Sequence, residues 1–177
     1  GDCNVGVGRN ALRNNTTAGN NTAIGTSALC ANSTGASNVA MGCGALLANT
    51  TANNNVAIGM CAMIATTTGA NNTAVGFSAL DTNTTGCENV AVGRDTLFSN
   101  TEGERNVAIG YRALCANTTA DFNVAVGRQT LFSNTTGERN SSLGLNAMYS
   151  NTTGGCNVAI GGNALYTNTT AGQNTAV

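Results

Sequence analysis

Several residue types in this chain recur at spacings that bring chemistry to mind. Asn15, Asn32, Asn49, Asn83, Asn117, Asn134, Asn151 and Asn168 each open an N-x-[ST] triplet. In a eukaryotic secretory host such triplets on a surface turn are acceptors for N-linked glycans; in a bacterium or phage they are only turn residues. Glu104, Asp121 and Glu138 follow one another at intervals of 17 residues. If the chain stacks them, three sets of carboxylate oxygens become a weak candidate for holding Ca²⁺. Arg105 and Arg139 next door favour a solvated, partly neutralised turn instead. Phe132, Tyr149 and Tyr166 share the same interval. An aromatic file of this kind either packs as structure or offers ring faces to a sugar, and packing is the commoner use.

Catalysis has little to stand on. The chain has no His, so Ser-His and Cys-His nucleophile pairs cannot form within it. The acids fall on variable positions, which does not suit the fixed carboxylate pair of a glycosidase. The glycines recur without the strand–helix frame of a dinucleotide site. We therefore expect no enzyme activity and no cofactor. Net charge is −1 and only 8% of residues are charged, which leaves no electrostatic footprint for nucleic acid. No apolar run is long enough for a membrane-spanning helix.

The interval of 17 belongs to the whole chain. Ten copies begin at Asn4, Asn21, Asn38, Asn55, Asn72, Asn89, Asn106, Asn123, Asn140 and Asn157, without insertion or deletion, and another opens at Asn174. Gly1-Asp2-Cys3 reads as the tail of an earlier copy, so residues 1–177 read as a single array and a window on a longer fibre. Numbering each copy from its Asn, position 5 is always Gly, position 4 is Val, Ile, Met or Leu, and position 9 is Leu or Met. Position 3 is Ala except at Gly6 and Ser142. Positions 12–14 are nearly always Asn-Thr-Thr, while positions 6, 7, 10, 16 and 17 vary.

These columns predict a β-solenoid. The N-V-A-I-G block is strand-like, with positions 2 and 4 on one side and position 3 on the other. Apolar residues on both faces predict a buried strand, closely packed on its Ala face. A second extended piece is expected at positions 8–10. Gly at position 5 and the Asn-Thr-Thr run supply turns and leave no room for a stable helix. Coils of 17 residues stacked at ~4.8 Å would make a rod about 50 Å long. Position 1 should then form an Asn ladder, each amide donating to the next, with positions 4 and 9 as buried aliphatic spines. The adjacent Thr residues of positions 13 and 14 should point opposite ways, which does not suit a flat ice-binding array.

The N-V-A-I-G block resembles the head repeats of trimeric autotransporter adhesins, whose signature is close to N-S-V-A-I-G, and related repeats of phage and viral tail fibres. The resemblance covers all ten copies, mainly at positions 1–5. It implies a left-handed parallel β-roll, three chains about a common axis, and an extracellular, cell-surface or virion location. The adhesin repeat is usually shorter, and its turn is not so regularly Asn-Thr-Thr. From the residues alone, the neighbour of the Ala face is either a second subunit or the other wall of the same coil.

The seven cysteines, Cys3, Cys30, Cys43, Cys61, Cys87, Cys115 and Cys156, never share a column in adjacent coils. No intrachain disulfide is expected, and Cys43–Cys61 is the pair to check. Stacking should also place Asp95 beside Arg112 and Glu88 beside Arg105. The expected function is structural: a homotrimer or filament forming a fibre segment for rigid display and surface attachment, through a cell-surface receptor or glycan. The competing reading is a glycan- or ice-binding solenoid, or a glycosylated surface filament.

Overall fold

A computed structural model describes residues 1–177. Each copy contributes one short strand: β1 (Val5–Val7), β2 (Thr22–Ile24), β3 (Val39–Met41), β4 (Val56–Ile58), β5 (Thr73–Val75), β6 (Val90–Val92), β7 (Val107–Ile109), β8 (Val124–Val126), β9 (Ser141–Leu143), β10 (Val158–Ile160) and β11 (Thr175–Ala176). They form one parallel sheet in chain order. The register repeats the sequence period, with Val107 opposite Val124 and Ala108 opposite Ala125. The chain is an all-β parallel solenoid with coils of 17 residues, and it contains no helix.

Glycine at position 5 follows each of β1 to β10. At Gly110 φ is +125°, and a Cβ there would lie 2.6 Å from the Gly127 carbonyl oxygen of the next coil. Both the backbone conformation and the coil-to-coil distance therefore require a residue without a side chain.

The return path is not extended. Contrary to the expectation for positions 8–10, each coil there is a run of turns. Position 9 is left-handed, as at Leu29 (φ 50°), Leu97 (φ 50°) and Leu114 (φ 52°). Left-handed backbone costs a non-glycine residue ~1–2 kcal/mol. What offsets it is burial: Leu29, Leu46, Leu80, Leu97, Leu114 and Leu131 are completely inaccessible to solvent, and burying a Leu is worth ~1.5–3 kcal/mol.

The core joins the Ala of position 3, the small residue of position 8 and the Leu or Met of position 9 in one continuous cluster. This settles the neighbour of the Ala face. A Cβ at Gly6, a position-3 residue, would sit 3.5 Å from Cδ1 of Leu12 in the same coil. The opposite wall of the coil, not a second subunit, packs on Ala. The expected position-4 spine is also corrected. Ile24, Ile58, Ile109 and Ile160 lie on the outside, between 37% and 43% exposed. Alternation then places position 2 outside as well, half-buried in most coils. A coil of 17 residues encloses so thin an interior that only small side chains fit on the strand's inner face.

Candidate functional site

Two buried files of asparagine run the length of the rod, and they divide the work differently from the expected single ladder. At position 1 the side-chain oxygen accepts the main-chain N–H of the next Asn. The Asn38 N–H reaches Asn21 Oδ1 at 2.9 Å, and that of Asn72 reaches Asn55 Oδ1 at 2.8 Å. Except at Asn123, where it reaches the Asp121 carbonyl (3.2 Å), Nδ2 crosses the coil to the carbonyl of position 15, as from Asn21 to Gly35 (2.9 Å) and from Asn89 to Gly103 (2.8 Å). Amide-to-amide contacts at position 1 are secondary, such as Asn106 Nδ2 to Asn89 Oδ1 at 3.2 Å. Every one of Asn4, Asn21, Asn38, Asn55, Asn72, Asn89, Asn106, Asn123, Asn140 and Asn157 accepts the following backbone N–H in this way.

The amide ladder proper is at position 12. Asn32 Nδ2 donates to Asn15 Oδ1 (2.7 Å), Asn49 to Asn32 (2.8 Å), Asn117 to Asn100 (2.7 Å) and Asn151 to Asn134 (2.9 Å). The same amides donate to the position-15 carbonyl three residues on, as from Asn134 to Gly137 at 2.9 Å. That carbonyl therefore receives both files, and Gly35 accepts from Asn21 and Asn32 alike. The file has one break. Position 12 of the coil starting at Asn55 is Thr66, which is fully buried. Its Oγ1 and the Asn49 Oδ1 beside it have no hydrogen-bond partner.

This corrects the glycan reading for the interior of the array. Asn32, Asn49, Asn83, Asn117, Asn134 and Asn151 are wholly buried, and their Nδ2 atoms are spent on the ladder or on position 15. A sugar on any of them is incompatible with the coil. Only Asn15 and Asn168, in the first and last full coils, are partly exposed. The turn is built by the asparagine pointing inward, a direction that the N-x-[ST] triplet does not encode.

The other candidates fare as follows. Glu104, Asp121 and Glu138 do not converge, and no group of three acids, cysteines or histidines able to hold a metal forms. Asp121 Oδ1 instead accepts the Glu104 main-chain N–H (2.7 Å). Glu104 and Glu138 lie 3.7 and 3.9 Å from Arg105 and Arg139. Phe132, Tyr149 and Tyr166 stack face to face, with centroids 5.0 and 5.2 Å apart and rings within 8° of parallel. Their inner faces are turned to one another, so along the stack mainly ring edges are left for a sugar. Position-13 hydroxyls are bonded to the next coil, as from Thr84 Oγ1 to the Thr101 carbonyl (3.1 Å). Position-14 Thr residues face out in a single file. All seven cysteines are free thiols. Burial pushes the Cys61 and Cys115 thiols up, helped at Cys61 by Asp81 and Cys43.

The apolar surface open to a partner is the outer strand face, bordered by two edges. Positions 2 and 4 give a nearly unbroken apolar strip along the rod. Column 17 borders it where the chain enters each strand, and column 6 borders it where the chain leaves. On the leaving edge the Arg94 guanidinium lies 5.6 Å from the Phe77 ring and 5.8 Å from the Tyr111 ring, with Arg128 5.9 Å from Tyr111. On the entering edge Arg105 and Arg139 lie 5.4 and 5.7 Å from the Phe122 ring. Arg105 Nε also meets Glu88 at 3.0 Å, and this contact holds its guanidinium protonated to higher pH. Stacking predicted the Glu88–Arg105 contact, but sequence reasoning missed the arginine–aromatic alternation along the two edges, although a column-by-column reading would have found it. Asp95 meets Arg112 at 3.5 Å, as the stacking predicted.

No family model, curated protein or solved structure matches the chain. Its class rests on its own geometry: a tandem-repeat parallel β-solenoid.

Proposed function

We propose that the chain is a structural segment of an extracellular fibre, of the adhesin-head or viral and phage tail-fibre kind. Three copies pack in parallel about a common axis as a left-handed β-roll. The segment supplies length, stiffness and surface attachment, with any receptor or glycan met by the variable columns. One observation carries this reading: an apolar strip, formed by position 4 in every coil and by Val at position 2 in most, runs along the rod and is uncovered in the single chain. Extended apolar surface of this kind marks an interaction site. A repeating strip on a straight rod is best covered by another rod of the same pitch.

Sedimentation equilibrium and electron microscopy test this. The expected particle is a trimer about 50 Å long per array of this size. Ile58→Asp with Ile109→Asp should dissociate it into folded monomers. A wild-type chain that stays monomeric at high concentration would defeat the oligomer. Failure of the trimer to bind any cell surface or glycan array would defeat the attachment role.

A further inference from the structure

The outer face has a weakness as an interface, because it repeats. A neighbour displaced along the rod by one coil, ~4.8 Å, would bury almost as much apolar surface as one in step. Register is poorly specified wherever a strand surface is this uniform. The unrepeated residues on the two edges remove the freedom. At β6, β7 and β8 the entering edge carries Glu88, Arg105 and Phe122, and the leaving edge carries Arg94, Tyr111 and Arg128.

Copies related by rotation about an axis parallel to the rod bring the entering edge of one against the leaving edge of the next, at equal height. In step, Glu88 meets Arg94, Arg105 meets Tyr111 and Phe122 meets Arg128. That is one ion pair and two cation–π pairs. A slip of one coil in either direction sets Arg105 against Arg94 or Arg128, and like charges directly opposite destabilise. A slip of two coils in one direction sets Arg105 against Phe77 and Phe122 against Arg94, and in the other sets Arg105 against Leu145; either way it uncovers two coils of apolar face. The edge side chains retain exposed surface for this: Glu88 and Arg105 are about half exposed and Arg94 is 63% exposed. We propose that these six residues are a register key for a second copy of this chain packed in parallel on the outer face. The inference rests on the parallel homo-oligomer proposed above.

Interchain crosslinking tests it. In a chain keeping Cys43 alone, with the other cysteines changed to Ser, Cys43 lies on the leaving edge of β3. Ser37→Cys places a thiol on the entering edge of the same strand, while Asn20→Cys and Asn54→Cys place one a coil away on either side. With a short bis-maleimide, covalent chain oligomers on a denaturing gel should be at least about tenfold more abundant for Ser37→Cys than for the other two. Adding Arg94→Gln, Arg105→Gln and Arg128→Gln should even out the three yields while the sedimenting mass stays that of the oligomer. Equal yields with the native edges, or an intact oligomer that crosslinks at none of the three, overturn the register key. A monomer in sedimentation overturns the underlying oligomer instead.

Discussion

Thr66→Asn should stabilise this protein, although it changes one buried residue in a chain of 177. In the native chain the position-12 ladder stops at Thr66. Asn49 Oδ1 has no donor and Thr66 Oγ1 has no partner, while Asn83 Nδ2 keeps only its bond to the Gly86 carbonyl (3.0 Å). An Asn at 66 would donate to Asn49 Oδ1 and to the Gly69 carbonyl, and would accept from Asn83. The matching bonds in intact rungs measure 2.7–3.2 Å around Asn117 and 2.9 Å around Asn151. Three bonds at a net ~0.5–1.5 kcal/mol each, less the cost of fixing the amide, give about 2–3 kcal/mol. For a chain of this size that is a rise in thermal midpoint of about 5–10 °C. The protein should come from a bacterial host, since the substitution creates a new N-x-[ST] triplet. Circular dichroism reads the midpoint, which is preferable to an extrapolated free energy because linear arrays need not unfold in one step. Amide exchange should slow most in the coils starting at Asn38, Asn55 and Asn72. The converse, Asn83→Thr, should lower the midpoint by a similar amount. An unchanged midpoint for Thr66→Asn would refute the reasoning, because it would mean that a bridging water already satisfies the gap.

Three further outcomes are expected. Gly110→Ala should cost more than ~3 kcal/mol, since a 2.6 Å approach to the Gly127 carbonyl adds to the ordinary penalty for a side chain at positive φ; calorimetry of the variant checks it, and a loss below 1 kcal/mol would contradict it. Asn117→Ala should cost about 2–4 kcal/mol, because it leaves Asn100 Oδ1 and the Ala120 carbonyl short of a donor and deprives Asn134 of its acceptor; urea denaturation beside Asn15→Ala, at a partly exposed rung, should show the smaller loss at Asn15. Burial holds the Asp81 carboxyl above its ordinary range, outweighing a hydrogen bond from Ser78. Its folded pKa therefore exceeds its unfolded one, so ionisation weakens the fold as pH rises through that interval. Asp81→Asn should raise the midpoint at pH 7, and the gain should shrink as pH falls through the carboxylate range.

The fold was legible because the period is rigid. Seventeen residues per copy, an invariant glycine and a three-residue apolar block suit one coil of a parallel solenoid and little else. The inside of that coil was less legible. Alternation along Val107-Ala108-Ile109 says that Ala opposes its neighbours, but not which side faces inward. Size decides it: two walls brought together by so short a coil leave space for Ala108 and Leu114, not for Ile109. Nor does residue preference predict Leu114 in a left-handed turn, because the conformation is imposed by the need to aim a large side chain back across the coil. The division of work between the two asparagine files was hard to read for a related reason. Asn106 and Asn117 look equally able to form a ladder, and only closure of the coil shows that the first is needed by the backbone of the next strand while the second is free to bond its own kind.

The burial pattern also explains where variety is allowed. Every position that is invariant or nearly so answers to the coil above or below it. Asn caps the next strand, Gly clears the next carbonyl, and Ala and Leu fill a space shared with their neighbours. Such residues cannot distinguish one height on the rod from another, so they cannot tell a partner where to bind. Differences between coils lie instead in the variable columns 6, 7, 10, 16 and 17, of which columns 6 and 17 border the outer strand face. There the charged and aromatic residues are confined mainly to the middle strands, with Arg94, Tyr111 and Arg128 on one edge and Glu88, Arg105 and Phe122 on the other. A chain whose stability comes from translational repetition can break that repetition only where no neighbouring coil depends on the side chain, and these edges are such places: they vary without disturbing the stack.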